Sequence, residues 1–286
     1  MVQGESEKSR ARQTQGDETM LQQAIDFREE SEALFALIDP LTDRDWERKT
    51  QFKEWTLNDV IAHLHFGNYL ADLSLQDSTA FSDFIRRWMA ESKHTGSHIA
   101  ATHAWLDGTK NRALLKRWRE FYQEMTDRFV GADPKQRVKW VGPDMSVRSS
   151  ITARLMETWA HGQAVYDLLG QVRSEAERIQ NIAVLGVNTF GWTFTNRGVA
   201  VPPDPPYLRL TAPSGAIWEW NPPAQPENRI EGTAVAFCQV VTQVRNIADT
   251  TLQVTGATAT AWMSIAQCFA GPPENPPAPG KRFRQQ

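Results

Sequence analysis

Glu157 and His161 stand four residues apart in RLMETWAHGQAVYDLLG, residues 154–170. On a helix, residues i and i+4 share a face. The stripe through positions 150, 153, 157, 160, 161, 164 and 168 reads Ser, Ala, Glu, Ala, His, Ala, Leu, so small residues surround both polar ones. A carboxylate on such a face needs a partner other than water, because an uncompensated buried charge is costly. A cation supplies one. His63 offers a third ligand from a second helical stretch, where it shares a stripe with Val60, Gly67 and Leu70. His65 lies about two hundred degrees further round that helix, beside Asn58, Asn68, Tyr69 and Asp72, and is expected to face water. Two imidazoles and one carboxylate with an open position suit Zn²⁺, and Fe²⁺, Ni²⁺ or Mn²⁺ fit the same donors. A metal held this way lowers the pKa of a bound thiol or water and makes a nucleophile near neutral pH, which leaves thiol transfer and hydrolysis both open.

Other polar residues have plainer readings. A Glu–His pair at i, i+4 is often only a surface hydrogen bond. His94 and His98 in HTGSH have the same spacing, with His103 nearby, but Gly96 and Ser97 between them favour a flexible exposed segment. Trp55, Trp88, Trp105, Trp118 and Trp159 are expected to pack the core, and Asp59 to complement a helix dipole in a first turn. Cys238 and Cys268 are too few and too far apart for a disulfide framework or a four-cysteine zinc site, and read as small buried hydrophobes. No Gly-x-Ser-x-Gly, phosphate-binding Gly loop or dinucleotide fingerprint competes.

The elements that must position these residues follow from hydrophobic period and punctuation. Helices are expected over 20–38, over 57–72 with Thr56 as N-cap, and over 111–129. Residues 79–106 are expected to be helical in pieces, interrupted at HTGSH. The Glu157 helix should start from a cap at Asp144 or Ser146 and stop at Gly170, with a further helix over 174–194. The proline-rich GVAVPPDPPYLRL then breaks the helical pattern and the period changes to two. YLRLTAP and AIWEW read as a hairpin, ENRIEGTA and TTLQVTG as strands, and TAVAFCQVVTQVRN as a helix. The expected organisation is a leader over 1–19, disordered and lacking the marks of a secretory signal; a helix bundle over 20–198; a small α+β domain over 205–270; and a Pro-rich tail over 271–286.

Composition narrows the function classes. With 31 basic and 34 acidic residues interspersed and a net charge of −3, no electrostatic footprint for nucleic acid stands out. No apolar run reaches the roughly 18 residues a membrane span needs. A reducing cytoplasm fits the cysteine usage, and the expected partner is a small-molecule substrate.

EWTLNDVIAHL together with METWAHGQAVYDLLG resembles the DinB-like metal-binding superfamily, in its mycothiol-dependent maleylpyruvate isomerase branch. The resemblance implies a mainly α fold, a four-helix bundle followed by a small α+β C-terminal domain. It implies a divalent metal, zinc first, on His63, Glu157 and His161. It also implies a low-molecular-weight thiol used as thiolate and transferred or added to a small electrophile. GAIWEW fits the branch's C-terminal domain, and QVRN supplies Arg245, without the preceding Gly, as a cofactor-binding arginine that anchors an anionic group. The expected function is thus a metal-dependent thiol S-transferase or isomerase. The alternatives are a non-catalytic metal- or ligand-binding protein, an interaction module whose metal is structural, and a metallohydrolase on the same scaffold.

Overall fold

A computed structural model of the protein describes residues 20–223 and 226–285. The expectation for 1–19 lies outside the described residues. Helix α1, Gln22–Ile38, buries Ala24, Phe27, Leu34 and Ile38 on one side. Helix α2, Leu57–Gln76, begins with a reciprocal capping box in which Thr56 and Asp59 each accept a backbone N–H of the other. Helices α3, Ser78–Thr95, and α4, His98–Trp105, are parted by Gly96 at φ +69, a left-handed position that favours glycine. Helix α5 is Asn111–Val130, and α6, Val147–Leu168, starts where Ser146 accepts the Ser149 N–H. Gly170, at φ +68, ends the α6 segment. Strands β1, Arg137–Val138, and β2, Met145–Ser146, form a short ribbon between α5 and α6.

Helices α1, α2, α5 and α6 form a four-helix bundle in which α1 and α2 each pack against both α5 and α6. Their apolar stripes meet at Trp118, Tyr122, Phe129, Leu155 and Trp159, all buried. Helices α3 and α4 lie outside as an added layer on α2. Phe66, Leu70 and Phe81 make a small second core beneath them. This fold is the expected mainly α one, a four-helix bundle with an α+β C-terminal part.

The expected helix over 174–194 is shorter than its pattern. A single turn at Glu177–Ile179 leads into α7, Gln180–Asn188, and α8, Phe190–Thr195. Residues 171–176 stay irregular because Arg173 reaches Glu30 on α1 while Glu175 accepts from the Trp159 indole at 3.0 Å. Beyond the prolines, β3, Tyr207–Thr211, pairs antiparallel with β4, Ile217–Trp220, and parallel with β5, Arg229–Thr233, which pairs antiparallel with β6, Gln253–Thr255. Leu208, Leu210, Trp218 and Ile230 supply the buried face. Helix α9, Ala234–Val241, packs on β5 and β3. Helix α10, Ala257–Ile265, packs on β6. The sequence pattern predicts no element there, although Ala259, Trp262 and Met263 form its buried stripe.

Gly186 of α7 lies so close to α9 that a Cβ there would meet Val241 at 2.9 Å and Phe237 at 3.0 Å. The units expected at 20–198 and 205–270 thus pack directly on each other, and their separation at the proline-rich link stands as a proposal with a specific test. Limited proteolysis should cut first within residues 198–206, where Val199 and Val201 are exposed and no strand or helix holds the backbone. The two pieces should stay associated under native conditions through the α7–α9 contact. First cleavage elsewhere, or separation of the pieces on gel filtration, overturns this division.

Candidate metal centre

Helix α2 contributes His63 and α6 contributes Glu157 and His161. His63 Nε2 and His161 Nε2 each lie 3.2 Å from the same oxygen, Glu157 Oε2. The two imidazole centroids are 4.5 Å apart. Among the described residues, this trio is the one group of three or more His, Cys, Asp or Glu whose ligand atoms all lie within 4.8 Å of one another. Donors at about 2.0–2.1 Å from a tetrahedral ion stand about 3.3 Å apart, so the spacing fits a divalent ion with little movement. Side-chain exposure falls from 33% at His63 to 19% at Glu157 and 10% at His161, so a ligand approaches from the His63 side.

The electrostatics favour the coordinating forms. Burial works against the Glu157 carboxylate, but hydrogen bonds from both histidines, with the charges of His63 and Arg154, hold its pKa well below the usual carboxylate range. Burial and the neighbouring His63 pull His161 down to about 4, so near neutral pH its imidazole is unprotonated and available to a metal.

The loop before α2 fixes the imidazoles. Its backbone turns through positive φ at Lys53 and Glu54. Trp55 stacks on His161 at 5.5 Å with an interplanar angle of 13°, and lies 5.3 Å from His63. Phe52 meets His161 edge-on at 4.8 Å. Trp55 is thus half-buried against the site rather than sealed in the core, and its only signal in sequence is its place just before the Thr56 cap.

The expectation that His65 faces water is corrected. His65 is 1% exposed, packed against Trp105 and Phe121, and burial followed by the charge of Arg117 lowers its pKa to about 3. The added layer carrying Trp105 covers the face that helical periodicity assigned to solvent. His94, His98 and His103 do not converge: His98 rests on Trp88, while His103 pairs with Asp59 at 2.7 Å. Asp59 therefore serves both the helix cap and His103.

Arg245 lies beyond α9, with Nη2 2.6 Å from Asp167 on α6 and Nη1 donating to its neighbour's carbonyl, Val244 O, at 3.1 Å. The last residues run back over this edge of the bundle. Phe283 N donates to Gln51 at 2.7 Å, Gln285 N donates to the Asp167 carbonyl at 2.8 Å, and the Arg282 guanidinium lies 4.8 Å from the Phe52 ring centre. Asp167 and Arg282 escaped the sequence reading because nothing in the tail's composition shows where it lands.

Residues 27–166 match the family model described as the mycothiol maleylpyruvate isomerase N-terminal domain. Uncharacterized proteins from two strains of Mycobacterium tuberculosis are each 34% identical over 248 residues, spanning 87% of this chain and 95% of the relative. Two crystal structures of the mycothiol-dependent maleylpyruvate isomerase, one of a mutant, align with TM-scores of 0.46 at 14% and 13% identity, covering 77% of this chain and 87% of theirs. Among the described residues, no helix is long and apolar enough to cross a membrane.

Proposed function

The chain belongs to the mycothiol maleylpyruvate isomerase branch of the DinB-like superfamily, and on that premise we propose that it is a metal-dependent thiol S-transferase or isomerase acting on a small electrophile. The convergence of His63 Nε2, His161 Nε2 and Glu157 Oε2, open on one side, carries this reading. These three residues hold the divalent ion, with zinc first among the metals their donors suit. When bound, the ion supplies a Lewis-acidic position that keeps a low-molecular-weight thiol ionised near neutral pH. A thiol of the mycothiol kind is the one the family's description supports. Phe52 and Trp55 fix the imidazole planes, and their rings keep bulk water from one side of His161. Arg245, oriented by Asp167, is the proposed anchor for an anionic group of the cofactor or substrate.

Cobalt-substituted protein tests this directly. Adding a small thiol should produce a sulfur-to-metal charge-transfer band, and Arg245→Lys should leave metal content unchanged while weakening an anionic thiol about tenfold, since an ammonium cannot reproduce a bidentate fork. Absence of any thiol-dependent band, together with water-dependent turnover of an ester or amide, would make the protein a metallohydrolase. Metal binding with neither property would leave a non-catalytic binding protein.

A further inference from the structure

Arg154 sits one turn before Glu157 on α6 and is 5% exposed. On the facing helix, Gly67 follows His63 by one turn, and a Cβ on Gly67 would collide with Arg154 Nη1, so the missing side chain is what seats the guanidinium between α2 and α6. Trp140 covers it from outside, with the guanidinium carbon 5.0 Å from the ring centre. Its Nε has no acceptor, and among the described residues no carboxylate forms an ion pair with it. Glu157 is the charge that acts on Arg154 against the effect of burial. That carboxylate is already committed to two imidazoles. Buried guanidinium groups are ordinarily matched by an anion, because leaving one uncompensated is strongly destabilising.

We propose that Arg154 is a second anion-binding group of the metal site, besides Arg245, and takes the carboxylate of a small ligand that enters beside His63. The inference rests on the metal reading above and adds a ligand charge to it. With both imidazoles neutral, a divalent ion and Arg154 supply three positive charges against the one negative charge of Glu157. A thiolate would remove one unit of the excess and a ligand carboxylate the other, so a low-dielectric site that holds a cation favours a monoanionic electrophile over a neutral one. The planar fork of arginine matches a carboxylate in two hydrogen bonds. The orphaned Nε is one of the donors in that fork.

The test titrates zinc-loaded protein with sodium formate against sodium chloride at constant ionic strength, following heats of binding and thermal unfolding. Formate should bind and raise the unfolding temperature of the unaltered chain. Arg154→Met should weaken formate binding at least about tenfold, the expected loss for a hydrogen-bonded ion partner, while leaving zinc stoichiometry intact. Arg154→Lys should fall between them, and Gly67→Ala, which changes no charge but displaces Nη1, should also weaken formate; these two variants carry the test if methionine at 154 prevents folding. Equal formate affinity in the unaltered chain and the Arg154 variants overturns the proposal, as does an absence of formate binding altogether. Loss of zinc in Arg154→Met with formate binding unchanged would make Arg154 a counter-charge for Glu157 instead. Formate binding through Arg154 in a protein that takes up no metal would refute the metal reading and leave the anion site standing.

Discussion

Replacing His161 with alanine is expected to strip the protein of its divalent ion, lowering affinity more than a hundredfold, whereas His94→Ala should retain a full equivalent. Loss of one of three protein ligands removes a coordinate bond, and even residues that only support ligands change affinity by about 10–100-fold. His161 is also the ligand held on both sides, by stacked Trp55 and edge-on Phe52, so its ring plane is fixed before an ion displaces the Nε2 proton. Elemental analysis of protein purified without chelator gives the stoichiometry, and competition with a chromophoric chelator gives the affinity. The unaltered protein should release its ion on acidification, since protons compete for the same donors. Retention of metal in His161→Ala with loss in His94→Ala would move the site to the HTGSH segment.

A second large effect is expected behind the site. Glu30 on α1 pairs with Arg173, and its other oxygen lies 2.6 Å from Arg178 Nε; the Glu30 and Arg173 side chains are only 3% and 5% exposed. Arg173 also donates to the Trp159 carbonyl at 2.7 Å, which ties the network to α6 two residues from both Glu157 and His161. Glu30→Gln removes the carboxylate from between two guanidinium groups and should cost about 3–5 kcal/mol of stability, the range for breaking a buried pair from one side. Burial alone would raise the Glu30 pKa, but Arg173 and Arg178 outweigh it and hold the pKa below its ordinary value. A carboxylate with a lowered folded pKa contributes stability that is complete above its unfolded pKa and fades as pH falls through the folded one. The difference between Glu30→Gln and the unaltered protein should therefore be largest near neutral pH and shrink on acidification. Urea unfolding at several pH values measures it, and a loss below about 1 kcal/mol at pH 7, the scale of an exposed pair, would contradict the assignment.

Much of the site is local and could be read from the chain. The i, i+4 spacing put Glu157 and His161 on one face, and the stripe through Val60, Gly67 and Leu70 turned His63 inward, because both follow from the 3.6-residue period alone. The Thr56 and Ser146 caps, the Gly96 break and the Gly170 stop are local too, each set by side-chain chemistry or a single backbone angle. The approach of α2 to α6 was an expectation that only packing could satisfy. It brings ligand atoms 94 residues apart to within 3.2 Å.

What the tertiary structure decided is where one element's face meets another. Periodicity sorts a helix into faces without saying what covers each, so His65 read as solvated until α4 placed Trp105 over it. Gly67 marked only the inward stripe of α2, yet the space left by its missing side chain holds the Arg154 guanidinium. Phe52, Trp55 and Arg282 belong to the same rim although one lies near the C-terminus and the others precede α2. Such contacts depend on helix crossings and on the path of loops and tail, which arise from the summed packing of the whole core and leave no periodic trace in the segment that carries the residue.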